Sequence, residues 1–167
     1  MTEVSKAAAI SPCGRYRYML RRTWEPLNRP LGFILLNPST ADAEVDDPTI
    51  RRCMGFARRE GAGGILVGNL SPYRATDLKT LKRAGNLISG TGNRRYLERI
   101  LVISSRVVCG WGSHVDTCST FQLLEDWFLG IAKQISQEGK LCCFGRTATG
   151  RPRHPLYLSN NHPLIPF

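Results

Sequence analysis

Leu31–Cys53 reads LGFILLNPSTADAEVDDPTIRRC, and the fold is legible from this stretch outward. Leu31–Leu36 is an unbroken apolar run of strand length. A run without alternation suits a strand covered on both faces, as in a parallel sheet. It stops at Asn37-Pro38-Ser39. A loop follows that carries Asp42, Glu44, Asp46 and Asp47. Asp47-Pro48 then predicts a helix start, with the aspartate as cap and the proline in the first turn. Ile50, Cys53, Met54 and Ala57 share one face of that helix, and Gly61 marks its end.

The same grammar recurs downstream. Ile65–Val67 is a short apolar strand that leads into Gly68-Asn69 and a loop with Ser71-Pro72. Asp77–Arg83 reads as a short helix or turn, and a longer helix starts near Gly92 or Asn93. Arg106–Cys109 is a further strand, ending in the glycine-bracketed Trp111. In the following segment Phe121, Leu124, Phe128 and Ile131 recur at helical spacing. KLCCFG supplies the last core strand. Upstream, Tyr16–Trp24 predicts an edge strand and Glu25–Asn28 a turn. Strands alternating with helices predict a single three-layer α/β/α domain over residues 1–167 with a mostly parallel central sheet. A flexible lead is expected over about 1–14 and a proline-rich tail over about 151–167.

The chain has 167 residues, with 42% hydrophobic and 22% charged content, which is ordinary globular composition. No stretch approaches the roughly 20 apolar residues of a spanning helix, and the N-terminus lacks a basic lead-in, so no membrane segment or signal peptide is expected. Cys13, Cys53, Cys109, Cys118, Cys142 and Cys143 form no CxxC pair. They read as small hydrophobes in a reducing cytoplasm, and no metal site is expected. The net charge is +10, from 23 basic and 13 acidic residues. Such an imbalance fits a phosphate-rich partner, DNA or a nucleotide.

In a parallel sheet, ligands bind beyond the carboxyl ends of the strands. The exits at Asn37-Pro38-Ser39, Gly68–Ser71, Gly110–Gly112 and Gly145–Thr147 are therefore expected around one crevice. Asn37 can hold a water or read a base edge there, or serve only as a turn residue. Asp42 is the acid not needed at the helix start. It can orient Asn37 or act directly, whereas Asp46 and Asp47 suit the helix dipole. From the second exit, Tyr73 can stack on a base and Arg74 can meet a phosphate. Trp111 reads as a stacking platform or a core lid, and His114 as a surface histidine. The segment GRTATGRPRHPLYL (Gly145–Leu158) supplies Arg146, Arg151 and Arg153 for phosphates. Its His154 is fixed by Pro155 and suited to stabilise an anion or donate a proton. No phosphate-loop, nucleophile-elbow, zinc-protease or deaminase pattern is present, and no cofactor is expected.

The blocks LNPSTADAEVDDPTIRRC, GNLSPYRATD, CGWG and GRTATGRPRHPLYL resemble, in order from about Tyr18 to Leu158, the bacterial and phage domain-of-unknown-function family DUF1643. That resemblance brings no established activity. A more distant one is to the uracil-DNA glycosylase superfamily, whose mismatch-specific branch has a first motif of glycine, any residue, asparagine, proline, glycine. Leu35-Leu36-Asn37-Pro38-Ser39 is the matching stretch, with serine for the second glycine, and His154-Pro155 matches the second motif. The resemblance implies a uracil-DNA-glycosylase-like fold. It also implies metal-independent hydrolysis of the N-glycosidic bond of a modified or mismatched base. Asn37, helped by Asp42, would orient water, and His154 would stabilise the departing base. Pro38, Ser39, Asn69, Ser71, Tyr73, Arg74, Trp111, Arg146, Arg151 and Arg153 would hold base or backbone. The family's stacking aromatic after the first motif has no counterpart between Asn37 and Phe56, and Tyr73 would have to substitute. A non-catalytic nucleic-acid or nucleotide binder is the first alternative. The second is a Mg²⁺-dependent hydrolase or transferase on free nucleotides, which would draw on Asp42, Asp46 or Asp47.

Overall fold

The computed structural model describes residues 3–85 and 92–167. Strands β1 (Ser5–Ile10), β2 (Arg17–Thr23), β3 (Leu31–Leu35), β4 (Gly64–Asn69), β5 (Val107–Cys109), β6 (Leu141–Cys143) and β7 (Ile165–Pro166) form one sheet in the order β1-β2-β4-β3-β5-β6-β7. Its helices are α1 (Pro48–Arg59), α2 (Leu78–Arg83), α3 (Asn93–Ile103) and α4 (Ser119–Gln134).

The sheet is mixed, which corrects the expectation of a mostly parallel one. β4, β3, β5 and β6 run parallel, while β1–β2, β2–β4 and β6–β7 pair antiparallel. The reason lies in the connections. A parallel neighbour needs a long crossover, and α1, α3 and α4 supply those between β3, β4, β5 and β6. No α-helix separates β1 from β2 or β6 from β7. β2 is consequently an interior strand, not an edge. The lead expected to be flexible contains β1; its first two residues lie outside the described ones. The tail holds a turn of 3₁₀ helix at Pro155–Tyr157 and the strand β7.

The strand order reverses direction at β3. Right-handed crossovers then send α1 to one face and α3 and α4 to the other. α1 forms because Asp47 caps it, accepting from the Ile50 amide at 2.8 Å, with Pro48 in the first turn and Arg58 and Arg59 in the last. Gly61, at φ 71°, turns the chain out of it. Its buried face is Ile50, Cys53, Phe56 and Ala57, so Phe56 takes the place expected for Met54. Burial of Phe56 against Phe144 alone contributes roughly 1.5–3 kcal/mol. On the other face Leu97, Ile100 and Leu101 of α3 join Phe121, Leu124, Phe128 and Ile131 of α4 over Ile34 and Val107.

The pairing of β1 with β2 carries one irregularity. Ala9 faces Met19, but Ile10 faces Arg17, so Tyr18 is an extra residue in β2. Such a bulge shifts side chains beyond it to the opposite face. Leu20 and Arg22 point toward the α1 layer, and the bulge brings Arg17 to that same side.

Candidate functional site

The loops after β3 and β5 diverge to opposite faces of the sheet, and a crevice opens between them. This is the position where α/β sheets hold ligands. Two adjoining hollows of about 290 and 260 Å³ occupy it. Both are lined by Leu36, Asn37, His114, His154 and Tyr157. The early asparagine and the late histidine thus meet at one opening.

Asn37 is oriented by its own amide. Nδ2 donates to the carbonyls of Ala75 at 2.9 Å and Pro38 at 3.1 Å, which ties the loop after β3 to the loop after β4. Carbonyls accept only, so the nitrogen must face them and Oδ1 is the free end. Oδ1 accepts no hydrogen bond from the described residues, and is suited to receive one from a water or a ligand N–H.

His154 is held in one tautomer. It starts the 3₁₀ turn at Pro155–Tyr157, and its Nδ1 accepts from the Leu156 amide at 3.3 Å. Nδ1 therefore lacks a proton, and the neutral ring carries it on Nε2. Burial, then the neighbouring His114 charge, push the imidazole down to about 4. At neutral pH, His154 is an uncharged N–H donor. Tyr157, 76% exposed, stands at the rim with its ring 5.6 Å from that of His154.

The second hollow is more polar. Ser39, Thr49 and Thr76 line it together with Arg17, Asp47 and Asp77. Both acids are helix caps: Asp47 on Ile50, and Asp77 on the Thr80 amide and hydroxyl. Arg17 is 2% exposed and donates to the Ala41 carbonyl at 3.0 Å and to Asn69 Oδ1 at 3.3 Å.

Other expected site residues lie elsewhere. Asp42 does not line either hollow. Its Oδ1 accepts from the Glu44 and Val45 amides, both at 2.9 Å, and these bonds hold its carboxyl below the usual range. It closes its own loop and makes no hydrogen bond to Asn37 among the described residues. Pro38 is buried and only offers its carbonyl to Asn37 and to the Ala75 amide. Asn69 is buried beneath the crevice, where it meets Arg17. Ser71 is buried and accepts from the Tyr73 amide at 3.2 Å. Tyr73 packs edge-on against Tyr16 at 5.8 Å, away from the hollows, and Arg74 reaches the Gly14 carbonyl.

Trp111 is a wall and not a platform. It is 1% exposed and donates to buried Glu125 at 2.9 Å. Glu125 in turn binds Arg151, which also meets Asp116 at 2.8 Å. Arg146 bonds the Gly150 and Phe167 carbonyls and lies over the Phe167 ring at 4.5 Å. Arg151 is committed to two carboxylates, whereas Arg146 is exposed and bonds only carbonyls. Arg153 is exposed and lines the first hollow, with Nη1 at 3.3 Å from His162 Nε2.

Sequence reasoning missed Arg17, Thr49, Asp77 and Tyr157 as lining residues. Tyr157 was findable, being three positions beyond His154 in the same block. Among the described residues no cluster of three or more His, Cys, Asp or Glu is placed to hold a metal.

Residues 17–156 match the profile of DUF1643, a protein of unknown function. The chain belongs to that family. No curated protein and no solved structure matches it. Among the described residues of this DUF1643 protein, no helix is long and apolar enough to cross a membrane.

Proposed function

We propose that this DUF1643 protein acts on nucleic acid, taking one nucleobase into the crevice and hydrolysing its N-glycosidic bond without a metal. The observation that carries the reading is the shared opening of Asn37 and His154. Their free ends are complementary, an acceptor at Oδ1 and a donor at Nε2. A flipped base would lie in the first hollow, under Tyr157. Asn37 Oδ1 would accept one hydrogen of a water aimed at the sugar's C1′. The C1′–N bond breaks, the water oxygen bonds to C1′, and its surplus proton passes to solvent. The base leaves with the bonding electron pair, and the His154 Nε2–H would stabilise the charge on its carbonyl before solvent reprotonates it. A neutral donor suits that task, because it delivers a hydrogen bond without a charged ring in a half-buried site. The resemblance of Leu35–Ser39 and His154-Pro155 to uracil-DNA glycosylase motifs supports the same assignment, in a reducing cytoplasm. The net charge of +10 favours encounter with a polyanion.

A second reading has its own observation. Asp47 and Asp77 both line the second hollow, as a Mg²⁺-dependent enzyme on free nucleotides would require.

The test is a panel of single- and double-stranded oligonucleotides carrying uracil, hypoxanthine, alkylated bases and mismatches, with and without chelator. Abasic sites should form, detected by alkaline cleavage, and chelator should not matter. Asn37→Ala should lower the rate on the order of 100-fold or more, with affinity almost unchanged. Affinity without product on any substrate would leave only a binder. Loss of turnover with chelator would favour the nucleotide reading.

A further inference from the structure

Arg17 is the most heavily buried cation that reaches the crevice. Its guanidinium has five N–H groups, and those with partners meet only neutral acceptors, the Ala41 carbonyl and Asn69 Oδ1. Nε is buried and has no partner among the described residues. None of the described carboxylates forms an ion pair with it. Asp47 acts on it only at longer range, and burial pushes the group down to about 10. A buried charge without a counter-charge is destabilising, and one kept at a crevice floor calls for an anion. The bulge at Tyr18 places it there, since regular pairing would have turned it to the α3 face.

We infer that the second hollow is a phosphate subsite, with Arg17 as its cation and the hydroxyls of Ser39 and Thr49 beside it. The first turn of α1, where Thr49 sits, adds the positive end of a 12-residue helix. Asp47 and Asp77 share the hollow but are engaged with helix-cap amides, so the phosphate approaches from the hydroxyl side. The group belongs to a nucleotide whose base enters the adjoining first hollow. That second clause rests on the base-binding reading; phosphate binding itself does not.

Three probes separate these parts: inorganic phosphate, a nucleoside and the matching 5′-monophosphate, each at constant ionic strength. Melting temperature and calorimetric affinity are read for the parent chain, Arg17→Met and Thr49→Val. Phosphate alone should raise the parent's melting temperature where an equal concentration of chloride does not. The monophosphate should bind at least tenfold more tightly than the nucleoside. Arg17→Met should bring the two within twofold. Thr49→Val, which leaves the Arg17 bonds intact, should weaken phosphate severalfold and shows the effect even if Arg17→Met folds poorly. A phosphate response with no nucleoside binding would keep the subsite and sink the base pocket. Absence of any phosphate response in the parent, or an unchanged response in Thr49→Val and a folded Arg17→Met, would overturn the subsite.

Discussion

His154 makes stability depend on pH in a calculable way. The free imidazole titrates near 6.5, and in the fold the group is pushed down to about 4, chiefly by burial. The unfolded chain therefore binds the proton first as pH falls. The stabilisation tied to the neutral ring is complete above the unfolded value and is lost as pH drops through the folded one. The loss is at most about 2.5 kcal/mol at about pH 4.5, with a limit of roughly 3.4 kcal/mol below about pH 4. The perturbation is His154→Asn, whose Oδ1 can take over the cap on the Leu156 amide but does not titrate. Urea unfolding is measured for both proteins at about pH 7.5 and at about pH 4.5. Other groups titrate in both chains, so the difference of differences isolates the histidine. The parent should lose about 2 kcal/mol more than the variant over that interval, a substantial share of a domain's stability. An equal loss in the two proteins would refute the tautomer assignment, since the ring would then be free to protonate in the fold. An added gain in the parent at low pH would reverse the sign and be equally fatal.

Four other outcomes follow from single features. Glu125→Ala strands the Trp111 indole N–H and removes a partner of Arg151, and should cost about 3–5 kcal/mol in urea unfolding. Gly32→Ala puts a methyl 2.8 Å from Ser104 Oγ and 3.0 Å from Ile100 Cγ2, and should cost about 1–3 kcal/mol through overpacking. Burial pushes the Cys53, Cys109 and Cys142 thiols up, the last to about 12, whereas hydrogen bonds pull Cys13 and Cys118 down. A thiol reagent should thus label Cys13 and Cys118 in the native protein and reach Cys53, Cys109 and Cys142 only after denaturation. Base release, if assayed from about pH 5 to pH 8, should show no acid limb near 6.5, because His154 is already neutral there.

Much of the layout was readable because it rests on local chemistry. An apolar run, a cap and a proline define β3 and α1 without help from the rest of the chain. The convergence of Asn37 and His154 followed from strand direction alone. What could not be read depends on partners distant in sequence. β1, SKAAAI, has weak intrinsic strand preference, and pairing with β2 makes it a strand. The bulge at Tyr18 leaves no mark on the apolar pattern, so nothing pointed to Arg17. Arg146 and Arg151 looked free because Phe167, Asp116 and Glu125, which hold them, lie well apart from them in the chain. Asp42 looked spare because the amides it caps belong to an irregular loop.

The fate of those arginines changes what the net charge can mean. A crevice lined with basic residues was the natural expectation for a chain at +10. Instead, Arg153 lines the first hollow, Arg17 the second beside the helix-capping Asp47 and Asp77, and His154 is neutral. Of the 23 lysines and arginines only these two line the hollows, so the positive charge lies mostly outside the crevice. Long-range charge and local recognition are then separate levers. Salt should slow encounter with a polyanion, since exposed charges are screened within about 10 Å at moderate ionic strength. It should do far less to a step governed by one fixed acceptor, one fixed donor and a buried guanidinium. Affinity for nucleic acid that falls steeply with salt, together with a salt-insensitive rate from the bound state, is the behaviour this division requires. A bound-state rate that fell with salt as steeply as affinity would place surface charge inside the chemistry, and the assignment to Asn37 and His154 would fail.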